Sequence, residues 1–288
     1  MTARQATLLV ALAALWGASF LFMRIAAPSL GAVWLIELRV LLAGLALLPL
    51  IMLQGHLGIL WRYRRGLMFA GLMNAALPFS LLAWVSIELN AGLTSILNAT
   101  VPIFGALYAL LVRHQSLGIA RWSGVLLGFA GVALLALAEN AALPPLAPLP
   151  LAAGLLAAGC YALAANFTRD HLQDVPPLAY VVGSQLYAAL LLLPLLPFFT
   201  PAQWPQGEEL VLVAGSTLGL ALLSTSLAFW AYFHLIHAIG PTRTLTVTYL
   251  IPVFAVAWGA LLLNEPVTLS LVSGAMLIIA GTKLANRG

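Results

Sequence analysis

One charged residue, Arg39, lies deep inside an apolar stretch of the chain. If the segment is helical, Arg39 is about 12 Å from residue 31. A charge at such a depth is costly, so the side chain should face protein or water and is a functional candidate. Glu37 would point to a different face of the helix. The sequence leaves open a functional, gating role for Arg39 or a structural pair with Glu37 or Glu88.

Aromatic and small neutral polar side chains recur within the apolar stretches. Rings that face a cavity would stack on an aromatic or apolar substrate, and hydroxyl or amide groups could bind a zwitterion. The alternative for each residue is helix packing, where a polar contact contributes about 0.6 kcal/mol. The predicted substrate-binding residues are Trp16, Ser19, Asn74, Pro78, Phe79, Asn98, Pro102, Tyr161, Ser224, Tyr232, Thr248 and Tyr249.

Three prolines, Pro78, Pro102 and Pro252, are predicted near the centres of helices. Each lacks an N–H group and frees the carbonyl oxygen four residues earlier. In hydrocarbon these carbonyls need partners from neighbouring helices, water or a ligand. The helices could therefore line and flex around a polar cavity, with Pro252 in a structural or gating role. The alternative is a set of kinks that only improve packing.

Groups able to relay protons or catalyse a reaction are scarce. Apart from Glu37, no Asp, Glu or Lys is expected near the middle of an apolar stretch. His234 could relay or gate, since histidine titrates near neutral pH, or could simply lie at the interface. Asp170 is expected at a solvated helix end. We predict weak or absent ion coupling, and we expect no cofactor and no metal.

The composition limits the class of protein. Of 288 residues, 63% are hydrophobic and only 7% are charged, against about 25% charged in a soluble domain. Such a chain cannot coat a soluble fold with charge, which excludes a soluble enzyme, a nucleic-acid binder and a disordered chain. The single cysteine, Cys160, excludes an intrachain disulfide.

The few charges divide the chain into ten uncharged stretches of 17 residues or more. A helix needs about 20 apolar residues to cross about 30 Å of hydrocarbon. We therefore predict an all-α integral membrane protein. Its ten transmembrane helices are predicted near 6–26, 31–53, 66–88, 91–112, 121–138, 149–169, 176–198, 210–237, 243–263 and 267–285.

The basic residues predict the orientation, because Lys and Arg concentrate in cytoplasmic loops. Ten of them fall at one side of the predicted spans, and the opposite loops contain none. We therefore expect both termini in the cytoplasm. The ten residues are Arg4, Arg62, Arg64, Arg65, Arg113, Arg121, Arg169, Arg243, Lys283 and Arg287. Arg24, at the outer end of the first helix, is left over.

The chain repeats itself at an offset of about 150 residues. The sequence from Val101 to Phe104 matches that from Ile251 to Phe254, and a Ser-Gly pair and a later glycine follow at equal spacing. Two units are predicted, 1–145 and 146–288, with five helices each. An odd number of spans inverts the second unit in the membrane. Inverted repeats favour alternating access to a site near the midplane.

The sequence resembles the drug/metabolite transporter superfamily of the EamA type. The resemblance covers the whole chain and rests on the Trp16-Gly17 segment, Arg39, Pro102 with Gly124 and Gly131, and the segment from Pro252 to Gly281. It departs at His114-Gln115, where such proteins often have a Gly-Glu pair. Within the superfamily it is similar to amino-acid exporters of the YddG kind. That resemblance implies a ten-helix, basket-shaped carrier for aromatic and other apolar amino acids.

We therefore expect a secondary transporter that exports such amino acids, or similar small metabolites, across the bacterial inner membrane. Its expected partners are that small molecule and the lipid bilayer, with no nucleic acid; the oligomeric state is left open, and a monomer would suffice. The alternative is a membrane-embedded enzyme acting on a lipid-linked or apolar substrate. No pattern typical of a serine hydrolase, a zinc peptidase or a phosphate-binding loop occurs.

Overall fold

The computed structural model describes residues 2–140 and 148–285, and all regular structure within these ranges is helical. The α-helices are α1 (Ala3–Leu30), α2 (Ala32–Leu53), α3 (Leu57–Arg62), α4 (Arg64–Gly71), α5 (Leu77–Glu88), α6 (Ala91–Asn98), α7 (Val101–Leu111), α8 (Ile119–Asn140), α9 (Pro148–His171), α10 (Pro177–Leu192), α11 (Gly207–Leu218), α12 (Ala228–Ile239), α13 (Pro241–Thr244), α14 (Val247–Leu263) and α15 (Leu269–Ala285). A 3₁₀ helix, Leu193–Phe198, continues α10.

Eight helical segments in the described residues are long and apolar enough to cross a membrane. Two shorter apolar helices, α14 and α15, have 17 residues each. The prediction of an all-helical membrane protein is confirmed, whereas the count of ten spans and their inverted arrangement stay predictions. The predicted boundary between the two units, at residues 145 and 146, lies outside the described residues, as does Arg287.

Two segments of π-helix widen otherwise long helices. The first π segment (Leu72–Ala76) joins α4 to α5, and the second π segment (Gly219–Leu227) joins α11 to α12. A π-helix carries i→i+5 hydrogen bonds, and such bulges are frequent at functional sites. Both segments lie near the middle of an apolar helix.

The three prolines were expected near the centres of helices; Pro78 lies near the middle of the uninterrupted helical stretch Arg64–Glu88, and Pro102 lies near the middle of the span Ala91–Leu111. Pro78 lies in the first turn of α5, directly after the first π segment. Pro102 lies in the first turn of α7, after a break at residues 99–100 that ends α6. The start of α7 tolerates Pro102 because the missing N–H would be unbonded there anyway. Pro252 lies inside α14, which begins at Val247 rather than at the predicted residue 243.

The first helix of each predicted unit packs against helices of the other. α1 contacts α11, α12 and α14, while α9 contacts α5, α6 and α7. α2 packs along α10. Helices of the two predicted units therefore pack between one another.

α8 and α15 form the most extensive helix pair, and glycines allow their backbones to approach. A methyl group added at Gly281 would lie 2.6 Å from the backbone nitrogen of Gly128 and 2.7 Å from the carbonyl oxygen of Gly124. One added at Gly131 would lie 3.0 Å from the carbonyl oxygen of Gly274. Because Gly124 meets Gly281 and Gly131 meets Gly274, the two helices run antiparallel.

Candidate functional site

Arg39 of α2 is only 5% exposed and contacts two other helical segments. Its Nε donates to Thr225 Oγ1 at 3.1 Å. Its guanidinium carbon lies 3.6 Å from the centroid of the Phe79 ring, and that ring lies 6.2 Å from the Tyr161 ring of α9. The structure therefore brings the predicted binding residues Phe79 and Tyr161 to the predicted gating residue. Arg39 forms no ion pair with Glu37 or with any other carboxylate of the described residues.

The second π segment supplies three consecutive hydroxyls that tie α1 and α2 to it. Ser224 Oγ donates to the Leu15 carbonyl at 2.6 Å, and Ser226 Oγ donates to the Ala43 carbonyl at 3.4 Å. Thr225 lies between them, accepts from Arg39 and donates to the Leu220 carbonyl, five residues earlier. Ser224 and Ser226 therefore reach carbonyls of α1 and α2, while Thr225 and Ser226 also bond carbonyls five residues earlier in their own segment.

A second aromatic group surrounds Trp16 on α1. Its ring lies 5.3 Å from that of Tyr232 and 6.2 Å from that of Phe229, both on α12. Trp16 and Tyr161 are both partly buried, and they pack against the same cluster of buried apolar residues. Phe79, which follows Pro78, belongs to this cluster. The rings on α1, α5 and α9 therefore border one central region.

The remaining predicted polar residues have less uniform surroundings. Ser19 is buried, and Asn74 is half-buried within the first π segment. Asn98 ends α6, and its Oδ1 is buried without a hydrogen-bond partner among the described residues. The Thr248 hydroxyl donates to the Leu245 carbonyl, three residues earlier, at the start of the helix that contains Pro252. Tyr249 is half-buried in α14.

His234 lies outside this cluster. It is exposed on α12 and stacks on Trp230 with ring centroids 5.7 Å apart. This exposed position agrees with the alternative role of His234 as a residue at the membrane interface.

An ion pair that the sequence did not predict joins the two predicted units at one end of the molecule. Arg24 Nε lies 3.4 Å from Glu265 Oε1, and Arg24 Nη1 donates to the carbonyls of Ser86 and Ile87 at 2.8 and 2.6 Å. Both oxygens of Glu265 accept from the Ala91 N–H at the start of α6. Burial raises the pKa of Glu265, against the opposing effect of the Ala91 N–H and Arg24.

A second ion pair, between Arg113 and Asp170, joins the two units at the other end. Arg113 follows the end of α7, whereas Ala91 begins α6, so the two pairs lie at opposite ends of the segment Ala91–Leu111. Asp170 is therefore not merely a solvated helix end. Each pair links the first helix of one predicted unit to the loop before the last helix of the other.

Comparison with known proteins identifies the family. A model described as the EamA-like transporter family matches residues 4–137 and again residues 149–287. The chain belongs to the EamA-like transporter family. The resemblance stated from the sequence is confirmed, and with it the expectation that the protein is a transporter.

Two relatives of this EamA-like transporter have informative names. A protein of Streptantibioticus cattleyicolor, named a probable terminal-alkyne amino-acid exporter, is 28% identical over 94% of this chain and 90% of its own length. An uncharacterized inner membrane transporter of Escherichia coli K12, YedA, is 25% identical over 87% of this chain and 80% of its own length. A solved crystal structure matches with a TM-score of 0.66 and 20% identity, covering 99% of this chain and 98% of that one, which supports the fold.

The EamA-like transporter is a multi-pass membrane protein, and its family and named relatives are transporters rather than enzymes. The alternative of a membrane-embedded enzyme receives no support. Sequence reasoning missed Thr225 as the partner of Arg39, and it missed Arg24 with Glu265. A signal for the second was present, because Arg24 is the basic residue left at the side where Glu88 and Glu265 are expected.

Proposed function

We propose that this EamA-like transporter exports apolar and aromatic amino acids, or similar small metabolites, by alternating access. The observation that carries the proposal is the central group of Phe79, Tyr161 and Trp16 beside the hydroxyls of Ser224 and Thr225. Aromatic rings suit an apolar side chain, and the two hydroxyls, which already donate to carbonyls, hold the surrounding helices in place. The name of the Streptantibioticus relative supports the same substrate class.

Alternating access rests on the proposal that ten helices form two inverted units of five. The family model matches the chain twice, in ranges close to the two predicted units. Gly124 and Gly131 are equivalent by sequence to Gly274 and Gly281, and each contacts the counterpart of the other. Such reciprocal contacts are what a two-fold axis between antiparallel α8 and α15 requires. A two-fold axis of this kind makes an outward-open state the counterpart of an inward-open one.

The two ion pairs support the same mechanism, since they lie at opposite ends and each crosses between the units. A carrier of this design must break contacts at one end while it keeps those at the other. We propose that the Arg24–Glu265 pair closes the periplasmic end and that the Arg113–Asp170 pair closes the cytoplasmic end.

The bias of Lys and Arg toward one side favours two cytoplasmic termini, and the named E. coli relative favours the bacterial inner membrane. We also propose weak or absent ion coupling, because Glu37 is the one buried carboxylate among the described membrane-spanning helices. Export then runs down the metabolite gradient.

The test is transport of a labelled amino-acid panel by purified protein in proteoliposomes, with and without a pH gradient. We expect flux of phenylalanine and leucine, reduced by alanine at Trp16, Asn98, Tyr161 or Tyr249. Trp230→Ala is the matched control, because Trp230 is exposed and stacks only on His234 among the rings described. Transport of another class of compound, with no amino-acid flux, would contradict the substrate. Unchanged flux in all four variants would reject the site.

A further inference from the structure

The charge of Arg39 has no counter-ion among the described residues. The ion pairs described in the molecule join Arg24, Arg113 and Arg169 to their carboxylates, and Arg39 takes part in none. Glu37 is buried on the same helix, and its Oε2 has no hydrogen-bond partner either. An uncompensated guanidinium within a membrane helix is costly. The positive charge of Arg39 therefore favours the binding of an anion at this site.

The contacts of Arg39 occupy only part of its guanidinium. Nε donates to Thr225, and the Phe79 ring covers one face of the plane. Nη1 and Nη2 donate to no described residue, and neither is among the polar atoms that are sealed from solvent without a partner. The two terminal nitrogens are therefore the unbonded part of a side chain that is 5% exposed. Thr225 and Phe79 hold the plane from which they project.

Two parallel N–H groups of a fixed guanidinium match the two oxygens of a carboxylate. Phosphate would fit the same fork, but a dianion would call for more than one cation at the site, and no other Arg, Lys or His is among the buried residues described. The rings of Phe79 and Tyr161 continue from the fork on one side. The surroundings thus combine one positive fork with apolar and aromatic surface.

We propose that Nη1 and Nη2 of Arg39 bind the carboxylate of the transported molecule, with its apolar side chain against Phe79 and Tyr161. The substrate class is then a small compound with one carboxylate and an apolar group. This assignment deepens the proposed function and rests on it for the amino acids, whereas a carboxylate without an ammonium group also satisfies it.

The experiment measures binding to purified full-length protein by isothermal titration, together with flux in proteoliposomes. The probes are phenylalanine, 3-phenylpropionate, phenylalaninamide, phenethylamine and inorganic phosphate. In the wild type we expect binding of the two carboxylates and at least tenfold weaker binding of the amide, the amine and phosphate. This comparison needs no variant, so it holds even where a substitution impairs folding.

Arg39→Met should weaken binding of both carboxylates by about 10- to 100-fold, since charge-assisted hydrogen bonds are the strong ones. Arg39→Lys should recover part of this loss, because lysine keeps the charge but not the fork. Arg4→Met is the control, since Arg4 is an exposed residue in the first turn of α1. Thermal unfolding of each variant reports whether it is folded.

The assignment would be overturned if the wild type bound phenylalaninamide or phenethylamine as tightly as the two carboxylates. It would also be overturned if phosphate bound more tightly than they do, or if neither carboxylate bound. Amino-acid flux that persists unchanged in Arg39→Met would also overturn it while the proposed function stands. Binding of 3-phenylpropionate that is lost in Arg39→Met, without amino-acid transport, would support the carboxylate site and contradict the proposed function. The two failures are thereby distinguished.

Discussion

Arg24 and Glu265, from the two ends of the chain, lie 3.4 Å apart between Nε and Oε1. Around this pair, Arg24 donates to the carbonyls that end α5, and Glu265 accepts from the N–H that begins α6. Four helical segments therefore depend on two side chains at this end. A methyl group added at Gly259 would lie 2.2 Å from Glu265 Oε2, so the Glu265 carboxylate would have to move to accommodate it.

Glu265→Gln should lower the stability of the protein. The substitution keeps the shape of the side chain but removes the charge that Arg24 and the Ala91 N–H engage. We expect a loss of about 1–2 kcal/mol, because the hydrogen bonds are charge-assisted but the pair is partly exposed. Thermal unfolding in detergent measures it. Asp170→Asn, in the more exposed pair, should lower the unfolding temperature less; a larger loss there than at Glu265 would contradict this ranking.

The same substitution should open the end that Glu265 closes. In a Cys160→Ala background, a cysteine at the buried position Ser19 reports access through labelling by a membrane-impermeant maleimide. We expect Glu265→Gln to raise the labelling rate from the periplasmic side about tenfold, which corresponds to about 1.4 kcal/mol. Asp170→Asn should not raise it from that side. An equal rise in both variants would show general loosening rather than a gate.

Gly281→Ala should destabilise the contact between α8 and α15. The added methyl group would meet the backbone of Gly124 and Gly128, which cannot rotate away as a side chain can. Overpacking of this kind costs about 1–3 kcal/mol. Gly105→Ala is the matched control, because no atom lies within 4 Å of a methyl group there. Equal unfolding temperatures of the two variants would argue against close backbone contact.

Thr225→Val should loosen Arg39 without changing the volume at position 225. The variant removes both hydrogen bonds of the Thr225 hydroxyl, the one accepted from Arg39 Nε and the one donated to the Leu220 carbonyl. Leaving Arg39 Nε buried without a partner costs about 1–3 kcal/mol. We expect weaker substrate binding, by about 3- to 10-fold, with a lower unfolding temperature. Thr217→Val serves as control, because the Thr217 hydroxyl bonds only the Val213 carbonyl of its own helix. Equal substrate affinity in both variants would separate Thr225 from the site.

Glu37→Gln tests the proposed lack of ion coupling. Glu37 is buried and its Oε2 has no partner, so it is the carboxylate best placed to carry a proton. We expect the variant to transport at the wild-type rate with or without a pH gradient across proteoliposomes. If a proton gradient drives the wild type to accumulate substrate, and the variant does not accumulate it under the same gradient, Glu37 couples transport to protons.

The sequence predicted where the long apolar helices lie, and the structure moves their ends by a few residues. The first helix extends to Leu30 rather than residue 26, because Gly31, at φ +74°, is the residue that ends it. The interruptions did not follow in the same way. Proline marks a missing N–H, but whether the backbone responds with a π segment, as before Pro78, or a break, as before Pro102, depends on the neighbouring helices.

The candidate site was predictable as a set of residue types but not as an arrangement. Phe79 and Tyr161 were singled out as rings at mid-helix, yet their meeting at Arg39 depends on how α2, α5 and α9 pack. Thr225 stood in a run of small polar residues, and only the turn of the second π segment directs it to Arg39 while Ser224 and Ser226 reach other carbonyls.

The sequence by itself determined the membrane class, the family and the positions of the apolar helices, because transfer from water to hydrocarbon depends on each segment's own composition. The tertiary structure alone decided which side chains meet. Arg24 with Glu265, Arg39 with Thr225 and Gly124 with Gly281 are distant in the chain. Their contacts depend on the rotation and crossing of whole helices, which packing sets and local composition does not encode.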